Sequence, residues 1–203
     1  YRQSSRATPE TYRRDPHNIL LARSSRNRLS AELVRDAALH VSGLWDRRVG
    51  GPSVRPPQPE SVTAEASYNA KWEISEGGDR YRRGVYTWIQ RVTPYAQFAT
   101  FDLPNVNRAC ARRDRSNTPL QALTLLNDAV FTEAADQLAR RIRRELPGAT
   151  RREQILHACQ LCFSRPPTGA ELTHLATFWN RQNQLHDNRH AWRSTAVVLL
   201  NAD

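Results

Sequence analysis

The chain has 203 residues, no methionine, and 30 Lys plus Arg against 20 Asp plus Glu, a net charge of +10. That length suffices for one domain, or two small ones, with a real core, and its longest apolar runs fall far short of a membrane span. Three cysteines, Cys110, Cys159 and Cys162, exclude an even disulfide framework.

The positive charge is almost all arginine; Lys71 is the only lysine. Charge alone gives only non-specific, salt-sensitive nucleic-acid binding. A phosphate binder usually mixes in lysine, so nucleic acid is the least favoured partner.

Residues 1–29 are rich in Arg and Ser. Asp15 before Pro16 reads as an N-cap with proline at the first helical position, which predicts a short helix through Ile19, Leu20 and Leu21. Ser30 starts a clearer helix with Val34, Ala37, Ala38, Val41 and Trp45 on its apolar face. Arg35, Asp36 and Arg47 are expected elsewhere, and Gly50-Gly51-Pro52 is its expected stop. From Gly50 to about Gly78 the prolines Pro52, Pro56, Pro57 and Pro59 predict a long irregular segment. The aromatic and β-branched run from Tyr81 to Val92 predicts a small β element near 83–91. Tyr95 to Phe101 reads as one helical turn.

From Thr118 onward every segment reads as helix. Thr118-Pro-Leu-Gln121, Thr150-Arg-Arg-Glu153 and Thr168-Gly-Ala-Glu171 are capping boxes, in which a hydroxyl and a side chain three residues on satisfy each other's backbone N–H. Leu120 to Leu126 is apolar all round, which predicts a buried helix. Asp128 offers a cap for the next one, with the stripe Phe131, Ala134, Ala135, Leu138 and Ile142. Leu146-Pro147-Gly148 stops it, and a last helix runs from about Ala191 to Leu200. The expected fold is mainly α: a multi-helix domain with a long irregular Pro/Gly-rich segment and at most a small β element. Residues 1–203 read as one domain, divisible into N-terminal helices (1–49), an irregular segment (50–117) and a helical bundle (118–203).

Arg108, Arg112, Arg113 and Arg115 stand just before the helix that starts at Thr118. Guanidinium forks beside free backbone N–H groups suit a carboxylate or sulfate. Asn117 adds a polar group, and Tyr86 and Trp88 offer a stacking surface. The competing reading is internal: these arginines pair with Asp102, Asp114 or Glu133 and tie the irregular segment down. Asp102, Asp114 and Asp128 lie near this stretch and two of them could face a shared cleft; Asp102 and Asp114 are the candidates for an acid or base, against a reading as caps and arginine partners. Cys159 and Cys162 lack the further ligands of a zinc site and lack a following histidine for haem attachment, so they read as core. His186 and His190 flank a polar turn and suit no metal unless that turn is helical. Neither a nucleophile elbow nor a phosphate-cradling glycine loop is present.

Several motifs, in order along the chain, carry a resemblance: Asn27 to Asp36, Gly50 to Ser53, Arg83 to Tyr86, Phe101-Asp102, Cys110 to Asp128 and Phe163 to Glu171. The chain resembles the planctomycete-specific domain of unknown function that ends large cytochrome-c-associated proteins. The resemblance spans nearly the whole chain, and Cys159 and Cys162 are not part of its pattern.

It implies that the chain is a fragment of a multidomain protein, exported to the periplasm or cell surface. Upstream it implies a cytochrome-c-like domain, which alone would carry haem c, and a second uncharacterised domain. No cofactor and no metal is expected in this domain. The expected role is a non-catalytic accessory or interaction domain that binds a partner domain or an anionic polysaccharide through the arginine cluster. The alternatives are an enzyme acting on sulfated or uronic polysaccharide and a nucleic-acid binder.

Overall fold

The structure, a computed structural model, describes residues 3–25, 28–59 and 72–202. Among these the chain is mainly helical, with α1 (Pro9–Arg14), α2 (Ala31–Ser42), α3 (Ala96–Thr100), α4 (Pro119–Asn127), α5 (Ala129–Glu145), α6 (Arg151–Phe163), α7 (Gly169–Leu185) and α8 (Asn188–Asn201). Local side-chain chemistry sets most starts. The boxes at Thr118, Thr150 and Thr168 form as predicted, and a fourth, Thr8 with Thr11, starts α1 ahead of Pro9. Asp128 caps α5, its carboxylate accepting from Val130 N–H.

The stripe of α5 is the spine of the core. Ala134, Ala135, Leu138 and Ile142 are fully buried, and α5 packs between α8 and α2. On one side lie Ile155, Cys159, Trp179, Trp192 and Leu199 from α6, α7 and α8. On the other lies an aromatic group, Trp72, Tyr95, Phe98, Phe101 and Phe131, closed by Ala31 and Ala38 of α2. Burial of these large apolar side chains is the main stabilising term.

Four expectations change. No helix runs through 16–21: Asp15 ends α1, and its carboxylate accepts from the N–H groups of Ile19 and Leu20 in a turn. Helix α2 stops at Gly43, whose φ of 78° breaks the helical path, not at Gly50. Its inward face includes the expected Ala38 and Val41 but also takes in Ala31, Arg35, Leu39 and Ser42, so Arg35 is wholly buried. Arg35 Nη2 donates to the carbonyl of Arg80 at 2.5 Å, while Nε and Nη1 have no partner. Burial lowers its pKa.

The segment 81–92 is not a strand. Residues Gly77–Tyr81 and Gly84–Tyr86 form 3₁₀ turns, and pairing among the described residues is limited to the isolated bridges Asp46 with Arg82 and Val54 with Thr87. Gly84 is the reason. It lies against α2, its N–H donating to Asp36 at 2.6 Å, and a Cβ there would stand 2.9–3.0 Å from Glu32. The bend this contact requires interrupts an extended run.

The fourth change concerns α4. It is not buried: Leu120, Leu123 and Leu126 are 60%, 53% and 45% exposed, and only Gln121 is fully covered. Helices α3, α5 and α8 pack against α4 from one side and leave the other open. Part of the Pro/Gly-rich segment, residues 60–71, lies outside the described residues. Its flanks carry no helix or strand beyond the Val54 bridge and are pinned by Trp72, whose indole N–H donates to Pro56.

Candidate functional site

Asp102 knots the arginine loop to the start of α4. It sits at φ 61°, a left-handed conformation that aspartate tolerates better than most residues. Its carboxylate accepts from the Ser116 N–H at 2.7 Å and the Ser116 hydroxyl at 2.8 Å. Gln121, the N3 residue of the α4 capping box, donates from Nε2 to the Thr100 carbonyl, the Ser116 hydroxyl and, more weakly, Asp102. The Ser116 N–H and hydroxyl, then Gln121, hold the Asp102 carboxyl below the usual carboxylate range. A carboxylate held ionised by these donors is suited to anchoring and ill suited to giving a proton.

The arginines divide by task. Arg113 Nη1 donates to both oxygens of Glu32 in the first turn of α2, at 2.8 and 3.0 Å. Burial pushes the Glu32 carboxyl up, but Arg113, the Glu32 backbone N–H and Ser30 together bring it below its usual value. Arg28 donates to the Ser116 carbonyl and lies over the Phe101 ring. Arg108 and Arg112 are exposed, and among the described residues their guanidinium groups make no hydrogen bond or ion pair. Asp114, Arg115 and Asn117 are also exposed. Glu133, another candidate partner of the cluster, instead accepts from Tyr81 Oη and pairs with Arg80.

Between these groups opens a small pocket of about 50 Å³, lined in part by Arg28, Ser30, Asp102, Arg113, Asp114 and Gln121. It has room for a few waters but not for a sugar ring. Three arginines, Arg28, Arg113 and Arg115, line it against two carboxylates, Asp102 and Asp114, which leaves an excess of one positive charge.

Tyr86 and Trp88 are engaged with their own surroundings. Tyr86 Oη accepts from Gly50 N–H, and the Arg82 guanidinium lies 3.9 Å from the centroid of the Tyr86 ring. Arg82 also donates to the carbonyls of Gly50 and Pro52, so this group staples the glycine turn. Trp88 is 42% exposed with Arg55 over its ring. Cys159 is buried and Cys162 largely so, both as free thiols; burial pushes their pKa values up to about 11 and about 12. The His186 and His190 rings meet at 4.1 Å across the α7–α8 corner. Among the described residues no three His, Cys, Asp or Glu side chains form a group able to hold a metal, and no helix is long and apolar enough to cross a membrane.

The feature the sequence reading missed is the outward face of α4. Leu120, Leu123 and Leu126 recur every third residue, which lines them along one side of the helix. The signal was in Gln121: a buried N3 glutamine fixes which side of α4 faces in, and therefore which leucines face out.

No curated protein and no solved structure matches the chain. A family model does, over residues 1–179. That span holds the whole of the arginine loop, its Asp102 anchor and α4, and on it the chain belongs to the PSD1 family, proteins of unknown function (DUF1553).

Proposed function

We propose that the domain is a non-catalytic interaction module of a larger exported, cytochrome-c-associated protein, and that it docks a protein partner through the loop 108–117 and the outward face of α4. The observation that carries this reading is the division among the arginines. Arg113 and Arg28 are spent on holding the loop, whereas Arg108 and Arg112 are presented to solvent from an anchored segment. An anchored loop presents its charges at low entropic cost, which favours recognition. The exposed leucines beside it favour a protein surface over a polysaccharide, because interface cores combine arginine with apolar side chains. The proposed partner is one of the upstream domains expected in the parent chain. The enzyme reading is weaker, since the better placed of its two carboxylates, Asp102, already accepts from Ser116 and Gln121.

The test is calorimetric titration of the chain with those upstream domains. Arg108→Glu together with Arg112→Glu is expected to weaken binding by roughly tenfold or more, as loss of interface arginines does. Absence of a complex, or a complex indifferent to both charge reversals, contradicts the proposal.

A further inference from the structure

We infer that the outward face of α4 is a seat for one acidic, amphipathic helix of the partner, laid along Leu120, Leu123 and Leu126. This rests on the docking reading above and names what docks. Three features lead to it. The leucines stand at i, i+3 and i+6, an oblique row roughly 9 Å long at 1.5 Å per residue that winds about 120° around the helix. Such a stripe is one ridge of a helix–helix contact, and it fits the groove between rows of side chains on a second helix. It is too short and too regular to seat a sheet face.

Second, exposed apolar side chains ordered along one helix face mark an interaction site more than scattered ones do. Here three large leucines stand at least 45% exposed on a nine-residue helix.

Third, charge selects the occupant. The chain carries +10, so a second copy is repelled. Arg108 and Arg112, whose guanidinium groups are unpaired among the described residues, lie on the loop that leads directly into α4. A helix with leucine, isoleucine or valine at i, i+3, i+4 and i+7 and with Glu or Asp on its flanks meets both the stripe and these cations.

The test is fluorescence-anisotropy titration of the 203-residue chain with labelled helical peptides. One peptide has a leucine stripe flanked by glutamates. A second carries lysines in place of the glutamates. A third has the acidic composition in scrambled order, so no stripe forms. The acidic amphipathic peptide is expected to bind roughly tenfold or more tightly than either control, since charge and apolar face both contribute. Leu123→Asp is expected to remove roughly tenfold of that affinity. Leu123 is half exposed, and an unchanged thermal melt establishes that the variant is folded. Arg108→Glu with Arg112→Glu should weaken the acidic peptide and not the basic one.

Equal binding of the acidic and scrambled peptides overturns the helix seat while leaving the arginine docking reading intact. So does displacement of the acidic peptide by a sulfated oligosaccharide together with indifference to Leu123→Asp. No binding of any peptide also overturns the helix seat; titration with the upstream domains then decides the broader reading separately.

Discussion

Asp102→Ala removes the carboxylate that ties the arginine loop to the start of α4. Ser116 N–H at 2.7 Å and the Ser116 hydroxyl at 2.8 Å lose their acceptor, and Gln121 Nε2 loses the weakest of its three, at 3.4 Å. A hydrogen bond to a charged group contributes about 1.5–3 kcal/mol. Asp102 is only partly buried, so water recovers some of that, and the two short bonds together contribute about 1–2 kcal/mol. Alanine at φ 61° adds roughly 1 kcal/mol of backbone strain that aspartate largely avoids. The total, about 2–3 kcal/mol, corresponds to a fall in Tm of roughly 4–12 °C for a chain of this size. Asp102→Asn keeps the conformation and one acceptor, and should lose about half as much. Thermal melting followed by circular dichroism at neutral pH reads both variants.

The sign of the pH dependence follows from the depressed carboxyl of Asp102. A folded-state value below the unfolded one adds stability that is complete above the unfolded value, near pH 4. It is lost as pH falls through the lower folded value, so the gap between wild type and Asp102→Asn should close below about pH 4. Backbone amide exchange across 108–117 should also speed up in Asp102→Ala. If that variant melts within about 1 °C of wild type and leaves loop exchange unchanged, Asp102 is not the anchor and the reasoning fails.

Cys159 and Cys162, with thiols raised to about 11 and about 12 by burial, should resist a thiol reagent at mildly alkaline pH in the folded protein, while exposed Cys110 reacts. Fast labelling of more than one thiol before denaturant is added contradicts their place in the core. Gly84→Ala puts a Cβ within 2.9–3.0 Å of Glu32, including its backbone, and should cost about 1–3 kcal/mol by urea unfolding; an unchanged midpoint refutes the close approach to α2. A chain ending at Trp179 keeps the family-matched residues but loses the rest of α7 and all of α8, with Trp192, Ala196 and Leu199. It should show no cooperative melt, and a sharp transition near that of the whole chain would show that α8 is dispensable.

What the sequence made legible is what short-range chemistry determines. The boxes at Thr118, Thr150 and Thr168 depend on residues three apart, and they form. The α5 stripe depends on period alone, and all five of its residues are buried. Errors appear where tertiary contacts outvote local pattern. Arg35 was set on the outside by its charge, yet it occupies the i+4 position of the face that Ala31 and Ala38 bury. The aromatic and β-branched run 81–92 had strand composition, but the approach of Gly84 to α2 bends it. The leucines of α4 looked like a buried helix because hydrophobicity does not report how many neighbours surround it. Of the site, the arginine loop was legible; the partition of its cations between Glu32 and solvent was not, because Glu32 lies 81 residues away in sequence.

The most direct test is a hydrogen-exchange footprint of the chain, free and in the presence of the proposed partner, the upstream domains that the family resemblance implies. The account expects protection concentrated in the loop 108–117 and in α4, and lost when Arg108 and Arg112 are both reversed to glutamate. Protection elsewhere, for instance across 81–92 or the α7–α8 corner, with 108–126 unchanged, would contradict it.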